Sequence, residues 1–259
     1  MSTPAALPLF YRKVVPLSRE RHRDWYIDSG QDFSFAAGTN SVYIAASEFA
    51  VAAREYAIVF ARDADGRAIP AVLLGLEREQ NLLVGPDGRW RGRYVPAYVR
   101  RYPFILASAP ETPDQFTVCI DEAHSGFNTA REGERLLDEA GEQGELLARS
   151  VGFLREFHRH TQFTQNFSQA LDADGLLDAI QAQVALNSGA KYSLTGLYCV
   201  NAEKLKALAP ERLKALLVQG YLDLIYRHMH SLANIDGLME LVQNAQGTTA
   251  ERQPVSAKP

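Results

Sequence analysis

The stretch AIVFARDADGRAIPAVLLGL, residues 57–76, holds two apolar runs on either side of a four-residue turn signal. AIVFA (57–61) and IPAVLLGL (69–76) have strand length, and Asp63–Gly66 carries the Asp and Gly that tight turns require. The stretch is therefore read as a β-hairpin. Working outward, Phe33, Phe35 and Ala37 alternate with smaller or polar neighbours, and Ser41–Ala46 places Val42 and Ile44 on one face. Both are read as strands, as are Asn81–Val84 before the Gly85–Gly88 turn and FTVCI (116–120). Two short helices fall among them. Ser47–Tyr56 has Phe49, Ala52, Ala53 and Tyr56 at helical spacing, and Trp90–Pro103 repeats Tyr94, Tyr98 and Tyr102 at i, i+4 with Pro96 near its first turn.

Beyond about residue 130 the period changes to that of helices. Leu146, Leu147, Val151, Leu154, Phe157, Phe163 and Phe167 form one stripe over 144–168. Leu176, Leu177, Ile180 and Val184 suggest another helix over 172–185. Residues 202–208 and the segment opening at Pro210 follow, and Tyr221–Val242 reads as one long amphipathic helix after Gly220. Ser193–Val200 is read as a strand returning to the sheet. Strands first and helices later give an α+β fold, with an antiparallel or mixed sheet from the N-terminal half packed by helices mainly from the C-terminal half. The expected organisation is a flexible N-terminus (1–10), a single domain (11–242) and a disordered tail (243–259), in which Val255 is the only large apolar residue.

The 259 residues are 46% hydrophobic and 22% charged, with a net charge of −4 and two cysteines. That acidity argues against a dedicated nucleic-acid binder. Two thiols make neither a disulfide framework nor a four-cysteine zinc site, and suit a reducing compartment. No apolar run has the roughly 18–20 residues of a membrane span, and the N-terminus lacks the basic and apolar regions of a secretory signal. A cytoplasmic protein is expected.

Several residues in order carry a family resemblance. They are YRKVVPLS (11–18), His22, FSFA (33–36), Glu48-Phe49, AIVFA, LLGL (73–76), and NLLV (81–84) with Gly88-Arg89-Trp90. YVPAYVRRYPF (94–104), CIDE (119–122), Gly196-Leu197, Gly220 and IYRHMHSLANI (225–235) complete the set. Over roughly residues 10–240 the chain resembles the SapC family, named from genes linked to bacterial surface-layer protein export. The resemblance implies gene neighbours encoding flavin-dependent halogenase-like proteins, cupin-like proteins and TonB-dependent receptors. It carries no catalytic residues.

The phosphate-loop, dinucleotide, GxSxG, HExxH and CxxC patterns are absent from the sequence. The densest constellation interleaves Arg89, Arg91, Arg93, Arg100 and Arg101 with Trp90, Tyr94, Tyr98 and Tyr102. Arginine forks bind carboxylates, and aromatic faces hold planar or aliphatic groups. Arg89, Trp90, Arg91, Arg93, Tyr94 and Tyr98 are the candidate ligand-binding residues, for an anionic peptide or protein. Against this stands a metal reading. His22-Arg23-Asp24 matches the HxD half of an iron triad, and His158 or His228 would supply a further ligand for iron or zinc. Asp121-Glu122, just past a strand, are acids at a position that catalysis often uses, though helix caps sit there as often. Glu48 is expected to open a helix and complement its dipole. The leading expectation is an accessory or binding protein with no cofactor and no chemistry of its own. It would act with a peptide- or surface-protein-modifying or TonB-dependent uptake system, its partner being a halogenase-like or cupin-like neighbour. The rival is a metal-dependent enzyme modifying peptide side chains, and a third reading is a subunit of a surface-layer export machine.

Overall fold

A computed structural model describes residues 7–28, 30–109, 112–180, 182–185 and 191–250. The 57–76 hairpin forms as read. β4 (Ile58–Arg62) and β5 (Ala68–Leu73) pair antiparallel from Ile58↔Val72 to Arg62↔Ala68. The turn chemistry is local. The Asp63 carboxylate accepts the Asp65 and Arg67 amides, and Gly66 adopts φ +78°, which suits a residue without a Cβ. The hairpin lies inside a five-stranded sheet ordered β10-β13-β4-β5-β3, where β3 is Ser41–Tyr43, β10 is Leu177–Ala179 and β13 is Tyr198–Val200.

A second sheet pairs β1 (Val14–Pro16) with the β7 strand (Thr112–Asp121), and β7 with β6 (Phe104–Ala109). A third, small sheet joins β2 (Tyr26–Ile27) to β8 (Phe127–Asn128) and β9 (Glu134–Arg135). β11 (Ala182–Ala185) pairs with β12 (Lys191–Leu194). Every pairing among the described residues is antiparallel. The short helices are α1 (Arg19–His22), α2 (Phe49–Ala52, entered through a 3-10 turn at Ala46–Glu48), α3 (Ala97–Arg100) and α5 (Ala202–Lys206). The long ones are α4 (Glu145–Ala173), α6 (Pro210–Val218), α7 (Tyr221–Ser231) and α8 (Asn234–Ala250). The fold is α+β, with antiparallel sheets mainly in the N-terminal half and helices mostly in the C-terminal half. Among the described residues no helix is long and apolar enough to cross a membrane.

α4 organises the packing. Its 29 residues extend about 43 Å, long enough to serve two cores. Leu146, Leu147, Val151 and Leu154 are buried with Ile27, Phe104 and Ile120 under the second and third sheets. Phe167 and Leu171 are buried with Ile58, Phe60 and Val72 of the five-stranded sheet and with Ile225 of α7. At roughly 1.5–3 kcal/mol for each fully buried large apolar side chain, this stripe is the main reason the helix holds both cores.

Five expectations about elements change. Residues 81–84 form a turn in place of a strand, with only Val84 bridging to Trp90. Residues 33–37 are a 3-10 turn (Ser34–Ala36), because the Asp32 side chain takes the Ser34 amide and folds the chain back. The helix expected over 172–185 is replaced by β10 and β11. Gly175, at φ +62°, ends α4, and Leu177–Ala179 then pairs with β13. The strand expected over 193–200 is two strands separated by Gly196 at φ +74°. The helix expected over 221–242 breaks between α7 and α8. There the Asn234 amide donates to Ala53 O and Tyr56 O at 2.9 and 3.0 Å, a long-range contact that fixes the chain direction. α8 continues past residue 242 to Ala250, while 251–259 and 1–6 lie outside the described residues.

Candidate functional site

The Arg/Tyr segment is held by two carboxylates from the α2 region. Glu48, 6% exposed, accepts the Ala45 amide at 2.9 Å on Oε2, and the Ala97 amide and the Tyr94 hydroxyl at 2.7 Å each on Oε1. Glu55, half-buried, accepts the Tyr94 amide at 2.6 Å and the Arg93 amide at 2.8 Å. The Tyr56 hydroxyl donates to Tyr94 O and accepts Trp90 Nε1 at 3.0 Å. Burial, reinforced by the neighbouring Glu48, pushes the Tyr94 hydroxyl well above its ordinary pKa, so it stays a neutral donor. Trp90 and Tyr94 are thereby committed to holding the loop. Glu48 does more than complement a helix dipole: it joins the α2 entrance to the first turn of α3, and α3 is confined to Ala97–Arg100 with Pro96 as its N-cap.

Arg89, Arg91 and Arg93 are all exposed on this pinned loop. Arg89 makes one loose ion pair with Asp87 at 4.0 Å between exposed groups, which contributes little. Among the described residues Arg91 and Arg93 have no ion pair, so their charges remain available. Arg100 is spent on Val95 O and the Tyr94 hydroxyl.

Tyr98 belongs to a different feature, a cleft of about 480 Å³ between β3, β5 and one face of α4. Its aromatic walls are Tyr43, Tyr98 and Phe157. Arg101 closes one end, with its guanidinium carbon 3.9 Å from the Tyr98 ring centroid and 5.2 Å from that of Phe157. α4 lines the cleft with polar residues, among them the buried Thr164 and Ser168. Arg101 was legible in sequence only as a cation ending a helix; its place in the cleft depends on Phe157, far along the chain.

The four residues of the metal reading are not brought together. His228 is fully buried beneath the five-stranded sheet, where its Nδ1–H donates to Ile58 O at 2.9 Å and its Nε2 accepts the Val200 amide at 3.0 Å. Burial pushes it down to a pKa of about 4. Both its nitrogens are occupied, so it ties β4 to β13. His22 is also fully buried, but in the other core region. Its Nδ1 accepts the Ser18 amide and its Nε2–H donates to Glu122 at 3.0 Å. Asp24 is exposed and pairs with Arg135 at 3.2 Å. The His158 ring rests on Phe116, centroids 4.8 Å apart. Among the described residues no group of three or more His, Cys, Asp or Glu side chains is arranged to hold a metal.

Asp121 and Glu122 serve as clamps. Buried Asp121 accepts the Arg12, Lys13 and Ala123 amides and the Tyr102 hydroxyl, fastening the N-terminal segment to the end of β7. Glu122 receives Lys13, Arg21 and His22. Desolvation pushes its carboxyl up, but the hydrogen bonds from Lys13 and His22 and the nearby cationic charge outweigh that and hold it below the usual range. Burial raises the Cys119 thiol, which keeps it protonated and unreactive.

No curated protein and no solved structure matches the chain. A family model does: SapC, aligned over residues 17–238, a span from α1 into α8 that takes in the five-stranded sheet, the Arg/Tyr loop and most of the cleft. By that match the chain belongs to the SapC family.

Proposed function

We propose that this SapC-family chain is an accessory binding protein. It holds an anionic segment of a peptide or protein on the Arg89, Arg91 and Arg93 face, beside Trp90 and Tyr94, whereas Tyr98 faces the separate cleft. It works in the cytoplasm with a system that modifies peptides or surface-layer proteins or serves TonB-dependent uptake. Its partner is the product of a neighbouring gene of the halogenase-like or cupin-like kind, and it performs no chemistry of its own. One observation carries the reading. Among the described residues Arg91 and Arg93 have no ion pair, and they are exposed on a loop whose backbone is fixed by Glu48 and Glu55. Binding on such a loop loses little ordering entropy, and each arginine keeps its full set of donors for a carboxylate. The first test is a titration with an oligoglutamate peptide at low and at physiological salt. Binding that weakens as salt rises supports the reading. An affinity that is unchanged when Arg91 and Arg93 are both replaced by Ala contradicts it.

A further inference from the structure

Buried polar atoms find partners in nearly every native protein, and leaving one unpaired costs about 1–3 kcal/mol. In this chain three such atoms belong to residues that line the same cleft: Arg101 Nε, Ser168 Oγ and Tyr43 Oη. The rest of the cleft explains why they are unpaired. Thr161 and Thr164 have turned their hydroxyls onto the α4 carbonyls of Phe157 and His160, at 2.9 and 2.6 Å. Ser168, one turn further along and 3% exposed, has not. The Tyr43 hydroxyl lies beside the two threonine hydroxyls without reaching a hydrogen bond. The acids of the cleft are already engaged. Asp63 is held by Arg67 and by the hairpin turn, and Asp172 by Arg62 and the Ala68 amide. Arg101 is therefore a cation in an aromatic-walled cleft with no acceptor among the described residues.

We infer that this cleft is a binding site for an organic carboxylate with an apolar body, whose anion is received by Arg101. The apolar body lies against Tyr43, Tyr98 and Phe157, and the Ser168 and Tyr43 hydroxyls meet polar groups along its length. The volume of about 480 Å³ falls in the range of small-molecule and peptide-end sites. A planar guanidinium with its face covered by Tyr98 offers its edge, which matches a carboxylate bidentately. A dianionic phosphate is disfavoured, because Arg101 is the only unpaired cation among the described residues lining the cleft, and one guanidinium balances one negative charge. The same chemistry is presented by a peptide C-terminus and by a free small acid. This site is separate from the Arg91 and Arg93 face, so either can fail without the other.

The test is calorimetry on the full chain with four probes: acetyl-Ala-Ala-Phe as its free acid and as its amide, and phenylpropionate with its amide. Each acid that binds is expected to do so at least about tenfold more tightly than its amide, the loss of one charge-assisted contact. A preference for the peptide acid assigns the source to a chain terminus, and a preference for phenylpropionate assigns it to a free acid. Arg101→Gln should abolish the difference between acid and amide. Gln165→Trp, at an exposed position on the rim, should block both acids while leaving the fold intact. If Arg101→Gln does not fold, the Gln165→Trp variant and the acid–amide comparison on the parent decide. Equal binding of acid and amide, no binding of either acid at about 1 mM, or unchanged binding in Gln165→Trp overturns the proposal.

Discussion

Replacing Glu48 by Ala removes the acceptor for three donors at once. Two of them, the Ala45 and Ala97 amides, belong to buried residues at 1% and 6% exposure, where water cannot take the place of the carboxylate. The third, the Tyr94 hydroxyl, is half-buried and can turn to solvent. Two orphaned buried amides at about 1–3 kcal/mol each set a range of roughly 2–6 kcal/mol, and the desolvation cost of burying a carboxylate, which the Ala variant no longer carries, offsets part of it. The expected loss is about 3 kcal/mol, or roughly 6–12 °C in Tm for a chain of this size. Glu48→Gln keeps one oxygen but turns an amide group toward one of the donors, and should cost about 2 kcal/mol. The assay is urea unfolding followed by far-UV circular dichroism, with exposed Glu20→Ala as a control expected within about 0.5 kcal/mol of the parent. Hydrogen exchange at Ala97 should accelerate in the same variants, because its amide loses its partner. A Glu48→Ala protein within about 0.5 kcal/mol of the parent would refute the claim that this carboxylate joins α2 to α3.

Other outcomes follow from the same contacts. His228 is held near a pKa of about 4, whereas it titrates near 6.5 when unfolded, so the unfolded chain binds its proton first as pH falls. Stability should fall progressively between about pH 6.5 and pH 4, by up to about 3 kcal/mol. His228→Gln should flatten this dependence in a pH series of urea melts, and an unchanged slope would point to other groups. Glu122 is depressed below its ordinary value, so its contribution is present at neutral pH and is lost as pH falls through the acid range. Glu122→Gln should therefore lower stability at pH 7 and narrow the gap to the parent below about pH 4. Tyr56→Phe deletes the hydroxyl between Trp90 and Tyr94 and should cost about 1–2 kcal/mol in the same assay.

The hairpin was legible in the sequence because its turn is made locally, by Asp63 and Gly66. α4 was legible because its apolar stripe runs for many turns and few competing patterns share that length. The failures share one physical cause, which is long-range contact. Leu176, Leu177 and Ile180 fit a helical period, yet β13 offered Leu177 and its neighbours a strand edge, and Gly175 ended α4 first. Nothing in the stripe of 221–242 marks the break that Asn234 makes by reaching Ala53 and Tyr56. The Arg/Tyr segment was recognised as unusual from its residue types alone. Sequence could not show that Trp90 and Tyr94 face inward to Tyr56 and Glu48, or that neighbouring Arg100 and Arg101 diverge. One of those arginines is hydrogen-bonded locally and the other is left unpaired in the cleft. The histidines show the same limit: His22 and His228 sit in different surroundings, each satisfied by nearby amides, carbonyls or Glu122.

The central claim is that Arg91 and Arg93 serve a partner rather than the fold. Its most direct test is a calorimetric titration of the proposed partner, a purified halogenase-like protein, into the parent chain and into the Arg91→Ala/Arg93→Ala variant, with urea melts of both. The account predicts a stability loss below about 1 kcal/mol, as befits exposed charges, together with binding at least about tenfold weaker. Partner binding that is unchanged in the variant, or a large loss of stability in its place, would contradict it.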